Sequence, residues 1–287
     1  MGYLIGSILC ATGIFIIFKA FDSFKVNTRN AIISNYLTAA LLGVYLAPEP
    51  LVVGNLTKFT WLGQAFALGV LFVLVFNLMA LTAQKNGVSS ASVATKMSLI
   101  IPVVLSVWLH GEHLNLIKIL GVLIALAAVF LATQNPKKQG DKIQNLTLPM
   151  LVFFGSGVID ASLKFLSETR VPKNEFPLFS AGIFGSAALS GLIFVGLKFQ
   201  KNNRQVHLRD LAGGIVLGIP NFFSVYFLMQ ALQYQNLSSV TVFTLNNVGV
   251  VLLTTLMGLL LFQERLSARN SLGIVLAVLS ILLVALF

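Results

Sequence analysis

The sequence predicts an all-α integral membrane protein, ten transmembrane helices arranged as two inverted five-helix repeats, and three observations lead there. Hydrophobic residues make up 57% of the 287-residue chain and charged residues only 10%, where soluble domains carry about a quarter charged; the mean hydropathy is +0.91. The apolar residues are gathered into runs long enough to cross a hydrocarbon core of about 30 Å, each closed by charged or turn residues. The two halves of the chain repeat the same landmarks in the same order. With an odd number of helices in each half, the second half must enter the membrane from the side opposite to the first.

Taken in order, the spans of the first half fall at about 2 to 19, 29 to 47, 60 to 83, 88 to 109 and 113 to 133. The first has no Lys or Arg before it and ends in Lys19, the reverse of a signal peptide's charge order, which predicts a retained span. It holds Cys10, the chain's one cysteine, which excludes an internal disulfide and any cysteine-based metal site. The longest polar interval, QNPKKQGDKIQN from Gln134 to Asn145, reads as a linker over 134 to 146. The second half then places spans at about 147 to 167, 176 to 197, 211 to 233, 237 to 262 and 268 to 287. The repeats are thus 1 to 133 and 147 to 287.

The landmarks make the duplication visible. In the first half Ala80-Leu81 is followed by Ser89-Ser90, an apolar run, Gly111-Glu112-His113-Leu114, and Gly121-Val122-Leu123-Ile124. In the second half Ala231-Leu232 is followed by Ser238-Ser239, an apolar run, Gln263-Glu264-Arg265-Leu266, and Gly273-Ile274-Val275-Leu276. Lys19 and Lys164 close the first and sixth spans alike. With these landmarks and Pro102, the whole chain resembles the drug/metabolite transporter superfamily, specifically its two-copy EamA-type members. It departs from their pattern in the second copy, with Gln263 where glycine is usual and no proline matching Pro102. The resemblance implies a central cavity lined mainly by helices 1 to 4 and 6 to 9, with 5 and 10 packed outside, and transport of small organic solutes.

The net charge of +10 forms no basic patch. It is spread through short loops between apolar runs, which argues against a nucleic-acid partner and for a topology signal. Loops after odd-numbered helices, the linker with Lys137, Lys138 and Lys142 among them, hold most of the Lys and Arg; the even-numbered loops and flanks hold only Lys58, Lys118, Lys164, Arg170 and Lys173. By the positive-inside rule the linker is cytoplasmic and both termini lie outside, in a plasma (inner) membrane crossed many times. The bilayer and a small-molecule solute are the expected partners; monomer and homodimer both stay open.

Lys96, in VSSASVATKMSLIIP from Val88 to Pro102, is the residue around which a site is expected. Taken as a helix from Val88 to Leu109, the segment is about 33 Å long, with Lys96 about 12 Å in. An ammonium facing lipid there costs at least about 2.5 kcal/mol, so it must face the bundle interior or a wet cavity. Structural glue tied to carbonyls or one carboxylate is the plainer reading; at this depth function carries the larger prior. Ser89 and Ser92 share its face at helical spacing. Asp160, in GSGVIDASLKF, has Lys164 four residues on, so a local ion pair is the simpler expectation. The sharper one is a coupling or gating role, above all if Asp160 reached Lys96 across a cavity.

Polar stripes supply the remaining candidates for substrate binding: Asn77 with Gln84 on helix 3, and Tyr226, Gln230 and Gln233 on helix 8, in equivalent places of the two repeats. Asn246 and Asn247 on helix 9 align with Met97 and Ser98. Asn35 and Tyr36 on helix 2 complete the set, with core packing an equal alternative. Any single amide can also be interhelical glue. Pro102 is expected to interrupt helix 4 and Pro220-Asn221 helix 8. Gly2 with Gly6, and Gly214 with Gly218, have the spacing for close helix contact.

These residues point to a secondary transporter of a small organic metabolite, anionic or zwitterionic such as an amino acid or organic acid, working by alternating access. Lys96 would bind the anionic group, with Ser92, Asn77, Tyr226, Gln230, Asn246, Asn247, Asn35 and Tyr36 offering neutral hydrogen bonds. No cofactor or metal is called for. A nucleotide-binding loop of the G-x-x-x-x-G-K-[ST] type is absent, so a gradient or exchange must drive transport. Rival readings are a lipid or head-group flippase with a sideways-open cavity and an exporter of neutral or cationic drugs. An intramembrane enzyme ranks last: His110, His113 and His207 fall at helix ends or in loops, and Gly155-Ser156-Gly157 has no basic partner at its depth.

Overall fold

Backbone amides without water must bond within their own segment, so long apolar runs become helices. The computed structural model describes residues 2–47, 59–101, 116–132, 146–199, 207–232 and 239–286. These form α1 (Gly2–Ser23), α2 (Thr28–Tyr45), α3 (Leu62–Asn86), α4 (Val88–Met97), α5 (Leu116–Ala132), α6 (Thr147–Thr169), α7 (Phe176–Phe199), α8 (Leu208–Leu232), α9 (Ser239–Phe262) and α10 (Ala268–Leu286). A 3₁₀ turn, Lys173–Glu175, precedes α7. Among the described residues six helices, α1, α3, α6, α7, α8 and α9, are long and apolar enough to cross a membrane. Their outer faces carry large apolar side chains such as Ile5 and Leu260, at 58% and 65% exposure, which suits a lipid surround and would be a liability in water.

Helices from the two halves pack against one another rather than folding as separate bundles. α2 lies along α8 and α3 along α7; α1 contacts α8 and α9, α6 contacts α3 and α4, and α5 pairs with α10. Small residues allow the closest crossings. A Cβ on Gly218 would stand 2.6 Å from the Asn35 carbonyl oxygen, and one on Gly214 would strike Ala31 and Ser34, so α2 and α8 touch through backbone. The expected Gly2 and Gly6 pair does not form such a ridge, since only Gly6 meets a neighbour, the Phe227 ring. A Cβ on Gly273 would strike Ala132, and Gly121 accepts from Ser280 Oγ at 2.7 Å, so both repeated Gly landmarks serve the α5·α10 contact.

Two expectations about helix breaks need correction. The α-helix at α4 stops at Met97, before Pro102, and turns through Ser98 and Leu99. Proline has no N–H for the Ser98 carbonyl four residues back; Ile101 N–H donates to that oxygen instead, at 2.9 Å. Pro102 and the expected helical stretch beyond it lie outside the described residues. In α8, by contrast, Pro220 does not interrupt the helix, which runs unbroken through it. One lost bond is tolerable where flanking turns are tied down, and Asn221 Nδ2 donates across to Asn35 Oδ1 at 3.1 Å.

The start of α4 is held from the other half. Glu264, just past α9, accepts from Val88 N–H at 2.8 Å and from Ser89 Oγ at 3.3 Å, placing a carboxylate on the positive end of α4. Gly87 makes room for it: its φ is +99°, and a Cβ there would lie 2.7 Å from a Glu264 oxygen. Gln263, beside Glu264, has a positive φ of 48°, a conformation that glycine adopts at no steric cost.

Candidate functional site

The C-terminal end of α4 and the interior of α6, which hold charge, meet at a cavity with an empty volume of about 1060 Å³, including its open part. Among the described residues its walls come from α1, α3, α4, α6, α8 and α9, with none from α2, α5, α7 or α10. That narrows the expected ring of helices by two, because α2 and α7 turn their polar atoms to α8 and α3 rather than inward. Most of the lining is apolar, including Phe15, Phe72, Phe76, Met79 and Met229. Lys96, Asp160 and Lys164 supply its charge.

Lys96 sits one residue before the end of α4, half-buried at the cavity wall. It lines the same cavity as Asp160 of α6, and the two opposite charges attract. The carboxylate is also held by Ser98 Oγ at 3.0 Å, from the turn that ends α4. Asp160 thus feels the charge of a lysine on another helix. The helix break explains part of this geometry: the turn at Ser98 brings its hydroxyl to bear on Asp160 of α6.

Of the other predicted residues, only Asn246 lines this cavity. It is 1% exposed, and its Oδ1 lies 3.1 Å from Ser7 Oγ, which also lies 2.9 Å from the Ser224 carbonyl oxygen, one donor shared by two acceptors. Asn247, its neighbour, is buried and does not line the cavity. Ser92 faces α9 instead: it accepts from Thr254 Oγ1 at 2.7 Å and donates to the Ser89 carbonyl at 2.9 Å. Asn35 takes its bond from Asn221, and the Tyr36 hydroxyl donates to the Phe72 carbonyl at 2.9 Å.

The stripes on α3 and α8 point elsewhere too. Asn77 folds back onto the Val73 carbonyl at 2.7 Å, and Gln230 Nε2 donates to the Tyr226 hydroxyl at 3.2 Å, so each amide is satisfied on its own helix. Gln84 ties the ends of α1 and α2, donating to the Phe18 carbonyl and to Thr28 Oγ1 at 3.1 and 2.9 Å. Gln233 lies outside the described residues. The polar lining that sequence reasoning passed over is Ser7, Thr95, Ser156, Asn221 and Ser224. Asn221, Ser224 and Leu228 share a face at helical spacing, a signal hidden by the more conspicuous stripe at Tyr226 and Gln230. No group of three metal-ligating side chains gathers among the described residues.

Comparison with known proteins follows the same outline. A family model described as the EamA-like transporter family matches residues 1–134 and 142–286. An uncharacterized protein of Haemophilus influenzae is 29% identical over 282 residues, which cover 96% of this chain and 94% of that one. A solved crystal structure is similar over 98% of both chains, with a TM-score of 0.59 and 15% identity, a likeness of fold alone.

Proposed function

Because the chain belongs to the EamA-like transporter family, and so is a multi-pass membrane transporter of small solutes, we propose that it is a secondary transporter of a small organic metabolite, anionic or zwitterionic such as an amino acid or organic acid, working by alternating access. The observation that carries this reading is Lys96 at the wall of a cavity bounded by helices of both halves. An ammonium in such surroundings is stabilised by an anionic group delivered to it, and the attraction is strong because little water competes. Asn246, on the same wall, offers a neutral hydrogen bond for orientation. Asp160 keeps the ammonium company between transport events.

Alternating access by two inverted repeats, 1 to 133 and 147 to 287 around a linker, is part of the proposal. In support, the contacts come in reciprocal sets: α1·α8 is matched by α6·α3, α2·α8 by α7·α3, and α1·α9 by α6·α4. Ten crossings rest on the ten apolar runs of the sequence, and a cytoplasmic linker with termini outside in the plasma (inner) membrane on the charge bias of the loops. The EamA-like family is a transporter family rather than an enzyme family, so solute movement and not bond chemistry is the activity assigned.

Reconstitution in proteoliposomes tests it. Wild-type protein should exchange a labelled acidic solute across the bilayer, and Lys96→Ala should abolish that exchange while expression and monodispersity survive. Unchanged exchange kinetics in the variant would remove Lys96 from the site.

A further inference from the structure

We infer that Ser156 and Asp160, one turn apart on α6, form the subsite for the cationic group of a zwitterionic solute, opposite Lys96, which holds its anionic group. The inference rests on the reading of Lys96 given above and adds a residue that determines specificity. Ser156 is 4% exposed, lines the cavity, and its hydroxyl has no hydrogen-bond partner among the described residues. Among the described residues Thr12 Oγ1 and Thr255 Oγ1 share this condition, but of the three only Ser156 lines the cavity. Thr38, Thr82, Thr95 and Ser190 each settle a helical hydroxyl on the carbonyl four residues back, at 2.7 to 2.9 Å. A buried hydroxyl left unmade costs stability, and such a cost is kept where a ligand supplies the missing partner.

The residues on either side aim it. A Cβ on Gly155 would stand 2.5 Å from Val75 of α3, and one on Gly157 would strike Ile101. Successive helical residues point about 100° apart. The two glycines therefore let α6 wedge against neighbours on both sides, and Ser156 between them is turned to the cavity. Asp160 follows on the same face. Its Oδ2 accepts from Ser98, while its Oδ1 makes no hydrogen bond among the described residues. A protonated amine entering beside α6 would donate to Asp160 Oδ1 and to Ser156 Oγ.

Charge balance selects a solute of both signs. Lys96 and Asp160, both on the cavity lining, offset each other in charge. A bare anion drawn to Lys96 would leave Asp160 facing a like charge at low dielectric, whereas a zwitterion gives each of the two a counter-charge. Lys164, two turns from Ser156 on α6, is the other charged side chain on the wall. Phe72, Phe76, Met79 and Met229 leave an apolar space for the body of the solute.

The test uses purified full-length protein and three probes sharing one apolar body: leucine, its deaminated acid and its decarboxylated amine, with affinity read from thermal stabilisation. Wild type should prefer leucine to either fragment. Ser156→Ala should weaken leucine and the amine about tenfold, the acid not at all, and leave the ligand-free melting temperature unchanged or higher, because the hydroxyl holds nothing in the fold. Lys96→Met should weaken leucine and the acid but spare the amine. Wild-type affinity for leucine in Ser156→Ala, equal losses of acid and amine, or a lowered ligand-free melting temperature with binding intact would each overturn the subsite. So would a wild type indifferent to all three probes. Should Lys96→Met spare the acid while the Ser156→Ala pattern holds, the anion reading falls and the amine subsite stands.

Discussion

Glu264 accepts a hydrogen bond from the backbone N–H of Val88 at 2.8 Å, so a carboxylate from the second half of the chain seals the start of the helix that carries Lys96 in the first. The bond joins a landmark repeated in both halves of the sequence to the site through one short helix. Ten residues separate the sealed end of α4 from its broken end, and Lys96 lies next to the break. Position of the ammonium is therefore coupled to the α9·α4 contact.

Glu264→Ala should destabilise the protein by about 1–3 kcal/mol, the range for losing a hydrogen bond to a charged group and leaving an N–H unmade. Glu264→Gln should lie between, retaining an acceptor but losing the interaction with the helix dipole. Thermal unfolding in detergent would read the order; equal melting temperatures for Ala and wild type would show that water replaces the carboxylate at no cost.

Gln263→Gly should act in the opposite sense. Gln263 holds a φ of +48°, which disfavours a residue with a Cβ by about 1–2 kcal/mol, partly offset by the greater entropy of glycine when unfolded. A net gain of up to about 1 kcal/mol in the same unfolding assay is expected. A loss would mean that the Gln263 side chain contributes contacts outweighing the backbone strain.

Lys96 and Asp160 should behave as a coupled pair. Removing either charge alone leaves the other without its main partner, a loss that should fall below the roughly 3–5 kcal/mol of a dry buried pair because both groups border a cavity. The double variant Lys96→Met with Asp160→Asn should be more stable than the sum of the single changes allows. A double-mutant cycle in detergent measures this directly, and strictly additive losses would refute the pairing.

Gly218→Ala and Gly63→Ala make a contrasting pair. The added methyl at 218 meets the Asn35 carbonyl oxygen at 2.6 Å and Thr38 Cβ at 2.7 Å, and backbone has nowhere to retreat, so α2 and α8 must part. Overpacking of this kind costs about 1–3 kcal/mol. At Gly63 nothing stands within 4 Å, and alanine should add about 0.5–1 kcal/mol of helix stability. Comparable effects at the two positions would contradict the close crossing of α2 and α8.

Much of the architecture was legible in advance because a membrane leaves the backbone few options: an apolar run without water must be helical, so run lengths alone mark out the helices. Lys96 announced a cavity for a similar reason, since hydrocarbon does not accept an ammonium. The side chains around it were another matter. Asn77, Tyr226 and Gln230 form a plausible stripe on paper, yet an amide in a helix can be satisfied by a carbonyl or hydroxyl one turn away, and these are. Ser92 had a helix from the other half waiting for it. Sequence spacing specifies which residues share a face; it does not specify what that face meets.

What the sequence by itself determined, then, is an apolar helical chain of two similar halves with one lysine placed where only a cavity would tolerate it, because burial costs of backbone and charge depend on local composition. Only the tertiary structure decided that Asp160 on another helix shares a cavity wall with that lysine, that Glu264 anchors its helix from 176 positions away along the chain, and that Ser156 has no hydrogen-bond partner among the described residues inside the cavity. Those outcomes depend on which helices cross and at what distance, quantities set by the packing of small residues between segments remote in sequence.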